Sequence, residues 1–208
     1  MEFPFDLSLA EWLICDKTTN SYCVVFRNVI PIEFCDQLYN DCSLNCTKQH
    51  SVSFGGVDVL QHRLTCAFSD DDVTEHSYSG SSIKTIPWTP SIKILRDTVK
   101  LKHFVPNSCL VNGYITPDHN VGWHSDKNLC DPLKTVITVS ICGSRRFSFR
   151  EKANHSNKIT TYLNNGDVVY FFGNTNLLYE HSILKCLKGD VDSRPRYSLT
   201  FRILEKSI

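Results

Sequence analysis

Arg196-Tyr197-Ser198-Leu199-Thr200-Phe201-Arg202-Ile203 alternates polar and apolar side chains without a break. On an extended chain, residues two apart share a side. Arg196, Ser198, Thr200 and Arg202 therefore occupy one face, and Tyr197, Leu199, Phe201 and Ile203 the other. Two readings fit. The strand lies at a sheet edge with its polar face in water, or that face turns into a barrel, where two guanidiniums need an anionic partner. A dicarboxylate suits the second reading, because Arg forms bidentate, charge-assisted pairs with carboxylates.

Upstream, residues 109–115, 135–142, 146–150, 159–163, 167–172 and 182–187 also read as short strands, with 197–204 closing the series. Turn residues such as Gly143-Ser144 and Asn164-Asn165-Gly166 separate them. Many short strands at close spacing predict an all-β sandwich or barrel. The first half is mixed. Residues 22–26 read as a strand, and Pro31 opens a helix with Ile32, Cys35, Leu38, Tyr39 and Cys42 at helical spacing. Thr89-Pro90 caps and starts a second helix, whose buried stripe is Ile92, Leu95 and Val99. Between them, alternations at residues 52–56 and 63–67 suggest hairpins.

A chain of 208 residues, 41% hydrophobic and 21% charged, fits a single domain with a real core. Twenty-two Lys+Arg balance twenty-two Asp+Glu, which excludes binding to nucleic acid or membrane mainly by bulk positive charge. No run approaches the roughly 18–20 apolar residues of a membrane span. The start, Met1-Glu2-Phe3-Pro4-Phe5-Asp6, lacks the basic and apolar regions of a secretion signal, so an intracellular site, nucleus or cytoplasm, is expected. The ten cysteines are scattered with no CxxC pair and read as free thiols, Cys109 and Cys142 among them as small hydrophobes.

Trp123-His124-Ser125-Asp126 carries the first chemical signal. His124 and Asp126, two apart, could grip one metal ion, and His181 offers a third ligand. Two imidazoles and a carboxylate suit Fe(II) and leave roughly three octahedral positions open. An HxD alone reads first as polar loop residues. Leu110, Asn112 and Tyr114 share a side of their strand, and Asn and Tyr donate well to carboxylate oxygens, although a wet strand face gives the same pattern. Together these sets describe a metal with open positions beside a small-anion site, the combination of an oxygenase that uses a keto acid.

The ordered set Asn112-x-Tyr114, His124-x-Asp126, Val139-Ser140, Phe147-x-Phe149-Arg150, Gly166-Asp167, His181-Ser182 and Arg196-Tyr197-x-Leu199-Thr200-Phe201-Arg202 resembles the AlkB-like family of Fe(II)/2-oxoglutarate dioxygenases, with Tyr78-Ser79-Gly80 and Pro87-Trp88 upstream. The resemblance runs from about residue 50 to 204. It implies a mainly β fold with flanking helices: a double-stranded β-helix (jelly-roll) catalytic core over 106–208. Residues 1–105 would form an N-terminal extension and nucleotide-recognition lid. It implies His124, Asp126 and His181 as catalytic iron ligands. Arg196 would pair with the distal carboxylate of 2-oxoglutarate, helped by Asn112 and Tyr114, with Ser198, Thr200 and Arg202 lining the same pocket. O2 is the third reactant.

The implied activity is oxidative demethylation of N-alkylated bases in DNA, of the 1-methyladenine and 3-methylcytosine type, by a monomer that acts on nucleic acid and no membrane. DNA stands ahead of RNA. Alternatives of the same fold are an RNA N-methyl demethylase, a protein hydroxylase, or a non-catalytic nucleic-acid or protein binder. Tyr78 and His76 match the region that stacks on a flipped base in relatives, and Phe54 matches a hairpin aromatic wedged into the duplex. Arg63, with Arg145, Arg146 and Arg150, is expected to contact phosphates. The chain departs from the family pattern twice: Ser198 stands where Asn is usual, and Asn128 where many repair members carry an acid that contacts the methylated base. A cationic base would lose a charge partner at Asn128, which can instead accept from an exocyclic amino group.

Overall fold

The structure, a computed structural model, describes residues 2–54, 56–78, 81–127, 129–187 and 194–206; the side chains of residues 54, 78 and 81 are not part of it. In chain order the elements are β1 (Ala10–Asp16), β2 (Ser21–Phe26), α1 (Ile32–Asn45), β3 (Ser51–Phe54), β4 (Val57–Leu60), β5 (Leu64–Ser69), β6 (Glu75–Tyr78), β7 (Ser81–Pro87) and α2 (Pro90–Val99). They continue with β8 (Ser108–Tyr114), β9 (Val121–His124), β10 (Val136–Cys142), β11 (Arg145–Glu151), β12 (Lys158–Leu163), β13 (Val168–Gly173), α3 (Thr175–Leu178), β14 (Tyr179–Ile183) and β15 (Arg196–Arg202).

Eight of these strands make the jelly roll. One wall runs β13-β10-β15-β8 and the other β12-β11-β14-β9. The first wall extends on both flanks, by β1-β2 beside β13 and by β5-β7-β6 beside β8, while β3 and β4 form a separate hairpin. The 52–56 hairpin is therefore present, with Gly56 at φ 84° in its turn, a backbone region glycine enters without steric cost. The 63–67 segment instead joins the large sheet, antiparallel to β8, with β7 lying parallel on its other side.

Alternation assigns the faces. Tyr197, Leu199 and Phe201 pack with Cys109, Val111, Ile137, Val139 and Tyr170 into the larger apolar cluster. Helices α1 and α2 cover that face through Leu38, Cys42, Ile92, Leu95 and Val99. Thr89 caps α2 as its sequence indicates, its Oγ1 accepting from the Ile92 amide at 3.3 Å. Ile32 departs from the expected stripe: at the first turn of α1 it is 62% exposed. A second cluster lies between the two walls, with Val169 and Phe171 meeting Phe147, Phe149 and Ile183. All ten cysteines are free.

β15 is a central strand, paired to β10 on one side and β8 on the other, so both its faces are buried and the edge-strand reading is excluded. β14 begins at Tyr179 rather than 182, which puts His181 inside a strand.

Candidate metal and carboxylate site

Strand pairing brings the two imidazoles together. His181 in β14 lies opposite His124 in β9, and their ring centroids are 4.3 Å apart. Asp126 follows β9, where Asn176 Oδ1 accepts from its amide at 3.2 Å and Ser125 donates to the Tyr179 carbonyl at 2.9 Å. The ligating atoms of His124, Asp126 and His181 all lie within 4.8 Å of one another. His124 Nδ1 donates to the Gly122 carbonyl at 2.8 Å, fixing the tautomer that leaves Nε2 with a lone pair. Phe147, Phe149 and Phe171 surround the His181 ring, with centroids 5.1–5.8 Å away.

Electrostatics prepare these groups for a cation. Burial pushes His181 down to about 3, with His124 adding to the effect, and burial likewise lowers His124. Both rings stay neutral, the state a metal requires. Burial pushes the Asp126 carboxyl up, but the positive charge of Arg202 outweighs it and holds the group below its ordinary range. Asp126 Oδ1 accepts from Arg202 Nη2 in a buried ion pair. Its Oδ2, facing His181 Nε2 at 3.8 Å, is buried without a hydrogen-bond partner among the described residues. Such atoms are rare and costly unless something else binds them.

The same cavity, about 310 Å³, holds a second group in that condition. Arg196 is fully buried; Nε donates to Ser140 Oγ at 2.8 Å, and its guanidinium carbon sits 5.3 Å from the Tyr114 ring centroid. Nη1 and Nη2 have no hydrogen-bond partner among the described residues. This two-pronged fork matches a carboxylate. Ser198 and Thr200 line the cavity between Arg196 and Arg202, with Thr200 and Thr138 hydroxyls 3.3 Å apart. The donor set thus fits one divalent cation and one small dicarboxylate.

Other expected residues are placed differently. Asn112 lines the cavity, but its Oδ1 accepts from Arg63 Nε at 2.7 Å, so Arg63 sits on the cavity wall rather than on an outer phosphate-binding surface. His76 is fully buried: Nδ1 lies 3.0 Å from Ser108 Oγ and Nε2 3.4 Å from Arg202 Nη1. It braces the Arg202–Asp126 pair and has no face for a base. Arg145 is 1% exposed, and Arg150 is ion-paired to Glu180 at 2.7 Å with its guanidinium 4.5 Å from the Trp123 ring centroid, so neither presents a phosphate contact. Phe54 and Tyr78 have described backbones only, at the ends of β3 and β6, and Asn128 lies outside the described residues. Ser140, part of the Val139-Ser140 pair to which the sequence assigns no role, is the partner of Arg196; its place opposite Ser198 in the β10–β15 register is the signal that finds it.

A model of the 2OG-Fe(II) oxygenase superfamily matches residues 22–202. The uncharacterized protein R406 of Acanthamoeba polyphaga mimivirus is 25% identical over 153 residues, 73% of this chain and 78% of that protein. Among solved structures, OsALKBH1 is similar in fold, with a TM-score of 0.59 at 17% identity, covering 87% of this chain and 96% of that one. The family's reactants are Fe(II), 2-oxoglutarate and O2, a cation, a dicarboxylate and a gas, and the cavity offers one buried oxygen and one buried guanidinium fork without partners among the described residues. With the family model spanning 181 of the 208 residues, the chain belongs to the 2OG-Fe(II) oxygenase superfamily and has the jelly-roll fold of an AlkB homologue.

Proposed function

We propose that this oxygenase removes N-linked methyl groups from bases of nucleic acid, DNA ahead of RNA. The observation that carries the reading is the pairing, in one cavity, of the His124–Asp126–His181 cluster with the unpaired fork of Arg196. His124, Asp126 and His181 would hold iron, and Arg196, assisted by Tyr114, Ser198 and Thr200, would hold the distal carboxylate of 2-oxoglutarate. When bound, iron supplies the activation of O2 with decarboxylation of 2-oxoglutarate to succinate and CO2. One oxygen atom goes to succinate and the other into a C–H bond of the methyl group. The N-hydroxymethyl product then breaks its C–N bond, the hydroxyl proton moves to the ring or exocyclic nitrogen, and formaldehyde leaves. Arg202 keeps Asp126 ionised and oriented, and the phenylalanines around His181 keep water from the reacting atoms.

The β3–β4 hairpin supports the choice of an extended, base-presenting substrate. Val57, Val59 and Leu60 are exposed on it, while Val59 and Leu60 also line the cavity. A wedge at Phe54 would favour duplex DNA, since unstacking costs about a few kcal/mol. Phe54→Ala would then lower activity on duplex and spare single strands.

The test is a turnover assay assembled without oxygen from Fe(II), ascorbate, 2-oxoglutarate and methylated oligonucleotides, and started by admitting oxygen. It includes 1-methyladenine and 3-methylcytosine in single-stranded DNA, duplex DNA and RNA. Loss of a methyl group by mass, absent in His124→Ala, is the expected result. Succinate formation with no loss of methyl from any nucleic acid would refute the base-dealkylase reading and point to a protein hydroxylase.

A further inference from the structure

The three candidate ligands are not held equally. His181 sits in β14, which is paired on both sides, to β11 and to β9, and its ring is enclosed by Phe147, Phe149 and Phe171. Asp126 is held by Arg202 and, through its amide, by Asn176. His124 lies in β9, a four-residue strand at the edge of its sheet. The ladder of β9 to β14 has two register pairs, His181–His124 and Ile183–Val121, with a shift between them. The Nδ1 bond of His124 ends on Gly122 of the same strand, so it orients the ring without fixing the strand to its neighbours.

Arg150 reaches across the sheet to β9. Alternation places Phe149 among the apolar side chains between the walls and Arg150 on the outer face of β11, opposite Glu180 of β14. Arg150 Nε and Nη2 donate to Glu180 Oε2 at 2.8 and 2.7 Å, and its guanidinium carbon lies 4.5 Å from the centroid of the Trp123 ring. The side chains of Arg150 and Glu180 are only 19% and 25% exposed, which limits screening of the pair by solvent. A planar guanidinium does both tasks at once, meeting a carboxylate with its edge and an aromatic ring with its face. Glu180 directly precedes His181, and Trp123 directly precedes His124. The bridge over β11, β14 and β9 is thus anchored at the residue before each imidazole.

We infer that Arg150 is a positioning residue for the metal: through Trp123 and Glu180 it sets the place of His124 relative to His181. This rests on the reading of His124, Asp126 and His181 as a metal centre and adds to it a support on the outer face of the sheet. Loss of a partner that orients metal ligands typically lowers metal affinity by about 10–100-fold. Arg150 acts one residue removed from each imidazole, so the lower end, about tenfold, is expected.

Mn(II) is titrated into the full chain with 2-oxoglutarate present and oxygen excluded, the free ion being read by its EPR signal. Co(II) in its place reports ligand geometry through its visible absorption. Arg150→Met, which keeps the aliphatic stem and removes the guanidinium, is expected to weaken Mn(II) binding about tenfold and to alter the Co(II) band. Trp123→Leu should do the same, while Trp123→Phe, which keeps an aromatic face for the guanidinium, should stay within about twofold of wild type. The double variant Arg150→Met with Trp123→Leu should lose no more than either single one. Arg27→Met, which breaks the ion pairs to Glu11 and Asp167 beside the other wall, controls for stability: it should lower Tm and leave Mn(II) affinity unchanged.

Wild-type Mn(II) affinity in Arg150→Met overturns the inference. So does an equal loss in Arg27→Met at the same fall in Tm, which would make the effect one of stability alone. Losses that add in the double variant, or Trp123→Phe as weak as Trp123→Leu, also overturn it, and the Trp123 pair tests the bridge however well Arg150→Met folds. Failure of the wild type to bind Mn(II) overturns the metal-centre reading itself and this inference with it, an outcome distinct from all the others.

Discussion

Replacing Arg196 by methionine is expected to stabilise the cosubstrate-free protein while abolishing its response to 2-oxoglutarate. The wild-type guanidinium is fully buried, and Nη1 and Nη2 lack hydrogen-bond partners among the described residues. An unsatisfied buried donor costs roughly 1–3 kcal/mol, and more when charged. Burial pushes Arg196 down to about 10 from an ordinary 12.5, Tyr114 opposing, which corresponds to about 3 kcal/mol against the charged form. Methionine removes that penalty and fills much of the same volume, at the loss of one bond to Ser140 worth about 1 kcal/mol. The balance is a gain of about 2 kcal/mol, or roughly 4–8 °C in Tm for a chain of this size. Wild-type protein with metal and 2-oxoglutarate at a hundredfold over Kd should gain about 2.7 kcal/mol from binding, and the variant nothing from the cosubstrate. Thermal unfolding with Mn(II), with and without 2-oxoglutarate, reads both effects. A variant that melts below wild type, yet is still stabilised by 2-oxoglutarate, would refute the assignment of Arg196 to the carboxylate.

Asp126→Asn leaves Arg202 buried without its anion, so it should cost about 3–5 kcal/mol and remove stabilisation by divalent metal; wild-type stability in thermal melts would contradict this. His76 gives a pH signature. Burial holds it down to about 3 from an ordinary 6.5, so the unfolded chain takes up this proton first as pH falls, and stability is full above pH 6.5 and lost towards pH 3. His76→Gln should flatten urea-derived stability against pH by about 1.4 kcal/mol per pH unit between pH 6 and 4, and an unchanged slope would show that His76 is protonated in the folded state.

The sequence reveals those parts of the fold in which one residue's neighbours on the chain determine its environment. Alternation in β15 separates Arg196, Ser198, Thr200 and Arg202 from Tyr197, Leu199 and Phe201, and Thr89-Pro90 announces α2. What escapes is set by pairing across the sheets. His76 looks like a stacking ring until β6 and β7 carry it beneath Arg202, and Arg150 looks like a phosphate contact until β11 pairs with β14 and brings Glu180 to it. Arg63 is the same case. Only the β5–β8 register, which sets Thr65 opposite Asn112, shows that a guanidinium two residues upstream enters the cavity.

That register has a consequence for exchanging recognition elements between relatives. β8 is hydrogen-bonded along its whole length to β15 on one side and, through Leu64–Ser69, to β5 on the other. The segment that carries Arg63 and the strand that carries Asn112 and Tyr114 are thus adjoining rungs of one ladder, with no joint between them. A chimaera cut near residue 105 would break this ladder and transmit the mismatch to the Arg196 pocket. A cut confined to the β3–β4 hairpin, whose ladder among the described residues runs only between its own two strands, would leave the larger ladder whole. The β3–β4 hairpin is thus the part of the cavity rim open to exchange as a unit, whereas the wall built by β5 and β8 is open to change only side chain by side chain.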